Sequence, residues 1–281
     1  FWKDWTCIMT YYMMRKREQH PWKQKILMDN LFPVSVVDNF FDNPNKVLKL
    51  VDSLKFTQSK GFYPGKRTKS LHLLNYDFYS SVICKVLSLF YDLKYTNIRY
   101  EDSSMHFQKI KPFNKKQLNH ILNKGLVHQD DSVLLAGVVY LDKKPNLNSG
   151  TSIYMKIKKR SKKYNDKLSL RKKEIYKINQ DKLSKKDIIK YQKLIEDCNQ
   201  DFTEVIKVNN VYNRLIVYPG TAFHAGNYEV TEERLSLVFF IRKIKSIAKP
   251  PILRKNLINE RWSNGTAADR GWVAAHGGCH L

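Results

Sequence analysis

The chain has 281 residues, 42% hydrophobic and 12% aromatic, enough to bury a sizeable core. No apolar run approaches the ~20 residues that cross a bilayer, charges interrupt the N-terminus too often for a signal peptide, and four scattered cysteines (Cys7, Cys84, Cys198, Cys279) argue against a disulfide scaffold or cysteine zinc site and fit a reducing, cytoplasmic compartment. The formal charge of +24 is partly local: between Lys156 and Asp197, sixteen Lys or Arg face six Asp or Glu, which reads as a solvated basic segment, with an anionic partner such as nucleic acid as the alternative.

Residues 1–27 are aromatic, Met-rich and basic without a steady period, and read as a flank outside the domain. Val34 to Phe41 alternates like a strand. Asp42-Asn43-Pro44 then resembles a helix start, with a capping side chain and Pro in the first turn. That helix is expected to run to about Leu54 and to bury Val47, Leu50, Val51 and Leu54. Gly61 to Arg67 is a loop marked by Pro64-Gly65, either bordering a substrate entrance or simply turning the chain. Tyr76 to Leu93 has helical spacing, and Thr96 to Ile110 alternates like a strand.

Leu126 to Leu141 (LVHQDDSVLLAGVVYL) reads as a strand that places His128 and Asp130 on one face, because residues two apart point the same way. Asp131 would then face away from them. A turn at Asn146 to Gly150 precedes a strand from Thr151 to Ile157. Lys158 to Gln200 is Lys-rich with apolar residues at helical spacing, and reads as an exposed, mostly helical insertion. Strands follow at Phe202–Val208, Tyr212–Tyr218, Ala222–Tyr228 and Arg234–Ile241. Residues 261–281 turn Gly- and Ala-rich and are expected outside the core. The domain is therefore expected over 28–260, as an α+β double-stranded β-helix or jelly roll with N-terminal helices packed on it.

One imidazole and one carboxylate on a stiff strand make two-thirds of a 2-His-1-carboxylate iron site, and His224, beyond the Pro219-Gly220 turn, supplies a second imidazole. Ten residues on, Arg234 opens RLSLVFFI. A guanidinium inside a barrel calls for an anion, and a ligand carboxylate gripped bidentately answers, with Ser236 on the same face. His106 and His120 read as structural or surface groups.

The order His128-x-Asp130, His224, Arg234-x-Ser236 resembles the 2-oxoglutarate- and Fe(II)-dependent dioxygenases over roughly Met28 to Lys245. VVDNFFDNP, FYPGKRT, HQDDSVLLAGVVYL, SGTSIY and YPGTAFHAG look like a small prolyl-hydroxylase-like branch known from phages, other viruses and bacteria. The resemblance implies Fe(II) on His128, Asp130 and His224. It implies 2-oxoglutarate chelated to the metal, with its far carboxylate on Arg234 and Ser236. O₂ is the co-substrate, 2-oxoglutarate is converted to succinate, and a peptide side chain or small molecule is hydroxylated. Tyr140, read as lying on the strand that carries His128, could also reach the cosubstrate. A nucleic-acid demethylase is the alternative within the superfamily, although its second Arg, six residues after the first, is Phe240 here. A non-catalytic, cupin-like binding barrel is the alternative outside enzymology. The prime substrate is not legible.

Overall fold

A computed structural model describes residues 34–58, 63–91, 93, 98–113, 116, 120–130, 132–157, 184–230, 233–246 and 278–279. The flank 1–27, Asp131, residues 158–183 and most of the tail lie outside them.

Two antiparallel sheets carry the fold. The eight-stranded sheet runs β1 (Ser35–Val37), β8 (Leu215–Pro219), β5 (Leu135–Tyr140), β10 (Arg234–Ser246), β4 (Ile98–Ile110), β3 (Lys66–Thr68), β2 (Phe56–Gln58), with β11 (Gly278–Cys279) also on β4. The smaller sheet runs β7 (Phe202–Val208), β6 (Thr151–Lys156), β9 (Phe223–Gly226). Ile153 and Val208 of the smaller sheet pack with Ala136, Val138, Tyr140, Ile216, Tyr218 and Val238 of the larger, closing the sandwich of a double-stranded β-helix.

The strand β10 explains why the larger sheet is covered on both sides. Leu235, Leu237, Phe239 and Ile241 alternate toward a helical layer, while Arg234, Ser236, Val238 and Phe240 face the smaller sheet. That layer is α1 (Pro44–Asp52), the single turn α2 (Leu71–Leu74) and α3 (Tyr76–Leu87). Asn43 caps α1 by accepting from the Lys46 N–H at 3.2 Å, Pro44 fills the first turn, and Val47 and Val51 reach the core. The strand expected from Val34 to Phe41 stops at Val37, because Asn39 takes a positive φ of 54° and turns the chain.

Three expectations are corrected. Residues 126–141 are not one strand: after His128 the chain turns at Ser132 (φ 62°) before β5 begins at Leu135, so Tyr140 and His128 belong to different sheets. The second is α4 (Lys185–Asn199), which is not exposed: Tyr191, Leu194, Ile195 and Cys198 are buried against Leu122 and Leu126. In the tail, Gly278 and Cys279 pair with Arg99 and Ile98 on β4. Cys84 is disulfide-bonded, which the scattered cysteine spacing did not announce. No described helix is long and apolar enough to cross a membrane.

Candidate active site

His128 and His224 form an isolated antiparallel bridge at the edge of the smaller sheet. The His128 N–H donates to the His224 carbonyl at 3.0 Å, and the His224 N–H to the His128 carbonyl at 2.9 Å. Directly opposed residues of an antiparallel pair project to one side, and the two rings lie 4.4 Å apart. Asp130 is held by its own backbone: its N–H donates to the Gly220 carbonyl at 2.8 Å, and its carbonyl accepts from Val133 at 3.2 Å. Its carboxylate sits 3.4 Å from His224 Nε2 and 3.8 Å from His128 Nε2. Ligand atoms of the three residues all lie within 4.8 Å of one another.

Each imidazole is bonded through its other nitrogen to a backbone carbonyl, His128 Nδ1 to Leu126 at 2.8 Å and His224 Nδ1 to Ala222 at 2.9 Å. A carbonyl only accepts, so Nδ1 carries the proton in both rings and the Nε2 lone pair is left toward Asp130. Burial lowers the His224 pKa to about 4, against the bond to Ala222 that raises it, so the ring is neutral near pH 7. The Tyr218 ring covers it at 4.5 Å. Burial first and Asp130 second push the Tyr218 phenol well above its ordinary pKa, keeping it protonated.

The ten residues after His224 carry the chain from the smaller sheet to the larger, so Arg234 lies across the sandwich from it. It is 4% exposed, and its Nη1 donates to the carbonyls of Ser149 (2.7 Å), Gly150 (3.2 Å) and Asn227 (3.0 Å). Its guanidinium carbon lies 5.7 Å from the Tyr140 ring centre and 5.4 Å from that of Tyr228. Among the described residues it forms no ion pair, and Glu233 pairs with Lys109 instead. Arg234 Nε and the fully buried Ser236 Oγ have no hydrogen-bond partner among the described residues. Buried polar atoms are normally satisfied, so two orphans one alternation apart leave room for an oxyanion. The Tyr140 hydroxyl is bonded to Thr151 Oγ1 at 2.9 Å, and its ring walls the Arg234 side.

His120 is structural: its Nδ1 accepts the Leu122 N–H and caps a short 3-10 turn. His106 bonds the Thr68 carbonyl through Nδ1, and burial lowers its pKa. Two residues of the site went unread in the sequence. Asn199, the last residue of α4, accepts from the Val127 N–H and donates to the Gly125 carbonyl, both at 2.9 Å, which fixes the approach to His128. Arg67, in the loop read as a possible entrance, faces the space between the sheets beside Phe240. Burial lowers its pKa to about 10, opposed by Tyr63 and by the charge of Asp130, so it stays cationic near pH 7.

A model of a family of unknown function, DUF6445, matches residues 20–236. No curated protein matches the sequence. Among solved structures, the chain is similar to HygX from Streptomyces hygroscopicus with nickel and 2-oxoglutarate bound, at 11% identity and a TM-score of 0.45, covering 78% of this chain and 86% of that one. It is similar to a Pseudomonas putida prolyl-4-hydroxylase at 14% identity and a TM-score of 0.38, covering 78% and 98%. A Trichoplax adhaerens prolyl hydroxylase in complex with a hypoxia inducible factor peptide fragment is similar at 10% identity and a TM-score of 0.42, covering 78% and 90%.

Proposed function

We propose that this chain, which belongs to the DUF6445 family of unknown function, is an Fe(II)- and 2-oxoglutarate-dependent oxygenase, with its domain over residues 28–260. The observation that carries the reading is one cluster of two neutral-capable imidazoles and a carboxylate, together with a buried guanidinium that forms no ion pair among the described residues.

The donor set fits a divalent iron. Two Nε2 lone pairs, each aimed by a backbone hydrogen bond to its own ring, and one carboxylate make a facial triad that leaves adjacent positions open. His128, Asp130 and His224 would hold the metal. When bound, iron would couple the oxidative decarboxylation of 2-oxoglutarate to hydroxylation of a C–H bond, so that substrate, O₂ and 2-oxoglutarate give alcohol, CO₂ and succinate.

The remaining work belongs to the protein. Arg234 Nε and Ser236 Oγ would donate to the far carboxylate of 2-oxoglutarate, satisfying atoms that otherwise stay orphaned. The three carbonyls on Nη1 hold the guanidinium at a fixed angle, so that little ordering is left for the moment of binding. Tyr140 and Tyr228 flank its faces and keep water away. The prime substrate in this reading is a peptide side chain or a small molecule. The test is anaerobic titration of the Fe(II)-loaded full chain with 2-oxoglutarate, followed by succinate measurement in air. Binding and slow substrate-free turnover are expected. A chain that binds neither Fe(II) nor 2-oxoglutarate sinks the proposal.

A further inference from the structure

Arg67 is a guanidinium on the inner face to which the placement of metal and 2-oxoglutarate proposed above gives no role. In the register of the large sheet Arg67 lies opposite Gln108, Gln108 opposite Ser236, and Ser236 opposite Tyr140. Directly opposed residues share a face, so these four side chains form one row across four strands. One end of the row stands beside Arg234 and the other is Arg67.

The guanidinium is held as a binding group is held. Arg67 Nη2 donates to Gln108 Oε1 at 3.0 Å, and Gln108 Nε2 donates to the Pro64 carbonyl at 2.7 Å, so the amide is engaged at both ends. The guanidinium carbon stacks 4.1 Å over the Tyr63 ring and lies 5.4 Å from the Phe240 ring. The turn before it is rigid, since Gly65 has φ 72° and a Cβ there would come within 2.1 Å of the Lys109 carbonyl oxygen. Arg67 Nε is nonetheless buried without a hydrogen-bond partner, and Arg67 forms no ion pair among the described residues. The residue as a whole, like Tyr63 and Phe240, is partly exposed. It is near enough to Asp130 for that carboxylate to act on it electrostatically.

Stacking fixes the plane of a guanidinium and leaves its N–H edge to meet a planar oxyanion. 2-Oxoglutarate has two carboxylates, and in the oxygenase reading both are placed, one on the metal and one on Arg234. We infer that Arg67 anchors a carboxylate of the prime substrate, and so selects acidic small molecules or peptides ending in a carboxylate. This rests on the oxygenase reading above. Phe240 completes the anchor: where nucleic-acid demethylases carry their second Arg, this chain has a ring that packs beside a guanidinium from another strand.

The probes are twenty N-acetyl amino acids, each as the free acid and as the methylamide, which lacks the α-carboxylate, with N-acetyl phosphoserine methylamide and inorganic phosphate as anion controls. Each is titrated calorimetrically into the full chain loaded with Co(II) and 2-oxoglutarate. At least one acid is expected to bind about tenfold or more tighter than its methylamide. Arg67→Met is expected to erase that gap and Arg67→Lys to keep part of it. Should Arg67→Met fail to fold, Tyr63→Leu is expected to shrink the gap severalfold, and an unchanged gap there overturns the inference. It is also overturned if no acid outbinds its methylamide, if a phosphate probe outbinds every acid, or if the gap survives Arg67→Met. Weaker 2-oxoglutarate or Co(II) binding in Arg67→Met alone would assign the residue to the cofactors and overturn it too. A wild-type chain that fails to bind Co(II) and 2-oxoglutarate instead overturns the oxygenase reading, which separates the two failures.

Discussion

His128 and His224 stand 96 positions apart in the chain and exchange both of their backbone hydrogen bonds, at 3.0 and 2.9 Å. The rings are therefore brought together by strand pairing, with no need of a metal to gather them. Their Nδ1 atoms are likewise fixed by backbone carbonyls. Such a site is built before it is filled, which lowers the ordering cost of binding.

If the backbone holds the pair, His128→Ala should fold as the wild type does and still lose the metal. Removing a ligand should cost more than the 10–100-fold that loss of a supporting hydrogen bond typically costs. Calorimetric titration with Co(II) and circular dichroism of the metal-free variant check this together. Metal affinity within tenfold of wild type would remove His128 from the ligand set.

The metal-free chain should lose stability on mild acidification because of His224. Its folded pKa of about 4 lies below the ordinary 6.5. The unfolded chain therefore takes up the proton first as pH falls, and stability drops between about pH 6.5 and pH 4. The shift corresponds to about 3 kcal/mol as a ceiling, since the Asp130 carboxylate 3.4 Å away opposes it. Urea unfolding at pH 7 and pH 5 in the presence of a chelator measures the drop. His224→Phe, which cannot protonate, should flatten it.

Much of this site was legible because the chemistry recurs at short, periodic intervals. His128-x-Asp130 and Arg234-x-Ser236 each put two groups within reach, and the alternation of β10 sets Arg234 and Ser236 on the face of Val238 and Phe240. What the sequence hid depends on long-range register or on a single backbone dihedral. Ser132 turns the chain with a positive φ in a stretch whose composition reads as continuous strand, so Tyr140 was assigned to the wrong sheet. Arg67 looked like a turn residue, because its partner Gln108 lies 41 residues on and only the pairing of β3 with β4 joins them. In α4 the lysines dominated the reading, although Tyr191, Leu194, Ile195 and Cys198 recur at the spacing of one helix face.

Arg234→Ala should weaken 2-oxoglutarate and leave Co(II) binding in place, because the guanidinium touches no metal ligand in the site described above. A charge-assisted hydrogen bond contributes about 1.5–3 kcal/mol, or roughly 10–150-fold in affinity. Ser236→Ala, which removes a neutral donor, should cost about 0.5–1.5 kcal/mol. Parallel titrations of metal and cosubstrate separate the two effects. Equal losses of both would mean that the substitution disturbs the fold.

The basic helix α4 should prove necessary to the metal centre, contrary to what its lysines suggest. Leu194 is buried against Leu122 and Leu126, so Leu194→Ala should destabilise the chain by about 2–5 kcal/mol. Asn199 acts more locally: its amide holds both the Val127 N–H and the Gly125 carbonyl, immediately before His128. Asn199→Ala strips two hydrogen bonds from that approach, at about 1–3 kcal/mol for each group left buried and unsatisfied. The His128 ring should then wander, and Co(II) affinity should fall about 10–100-fold while Asn199→Asp, which keeps the acceptor for Val127, retains part of it. Titration of both variants against Leu194→Ala distinguishes general loosening from loss of aim. If deleting residues 158–200 leaves stability and metal affinity intact, α4 is the exposed insertion after all.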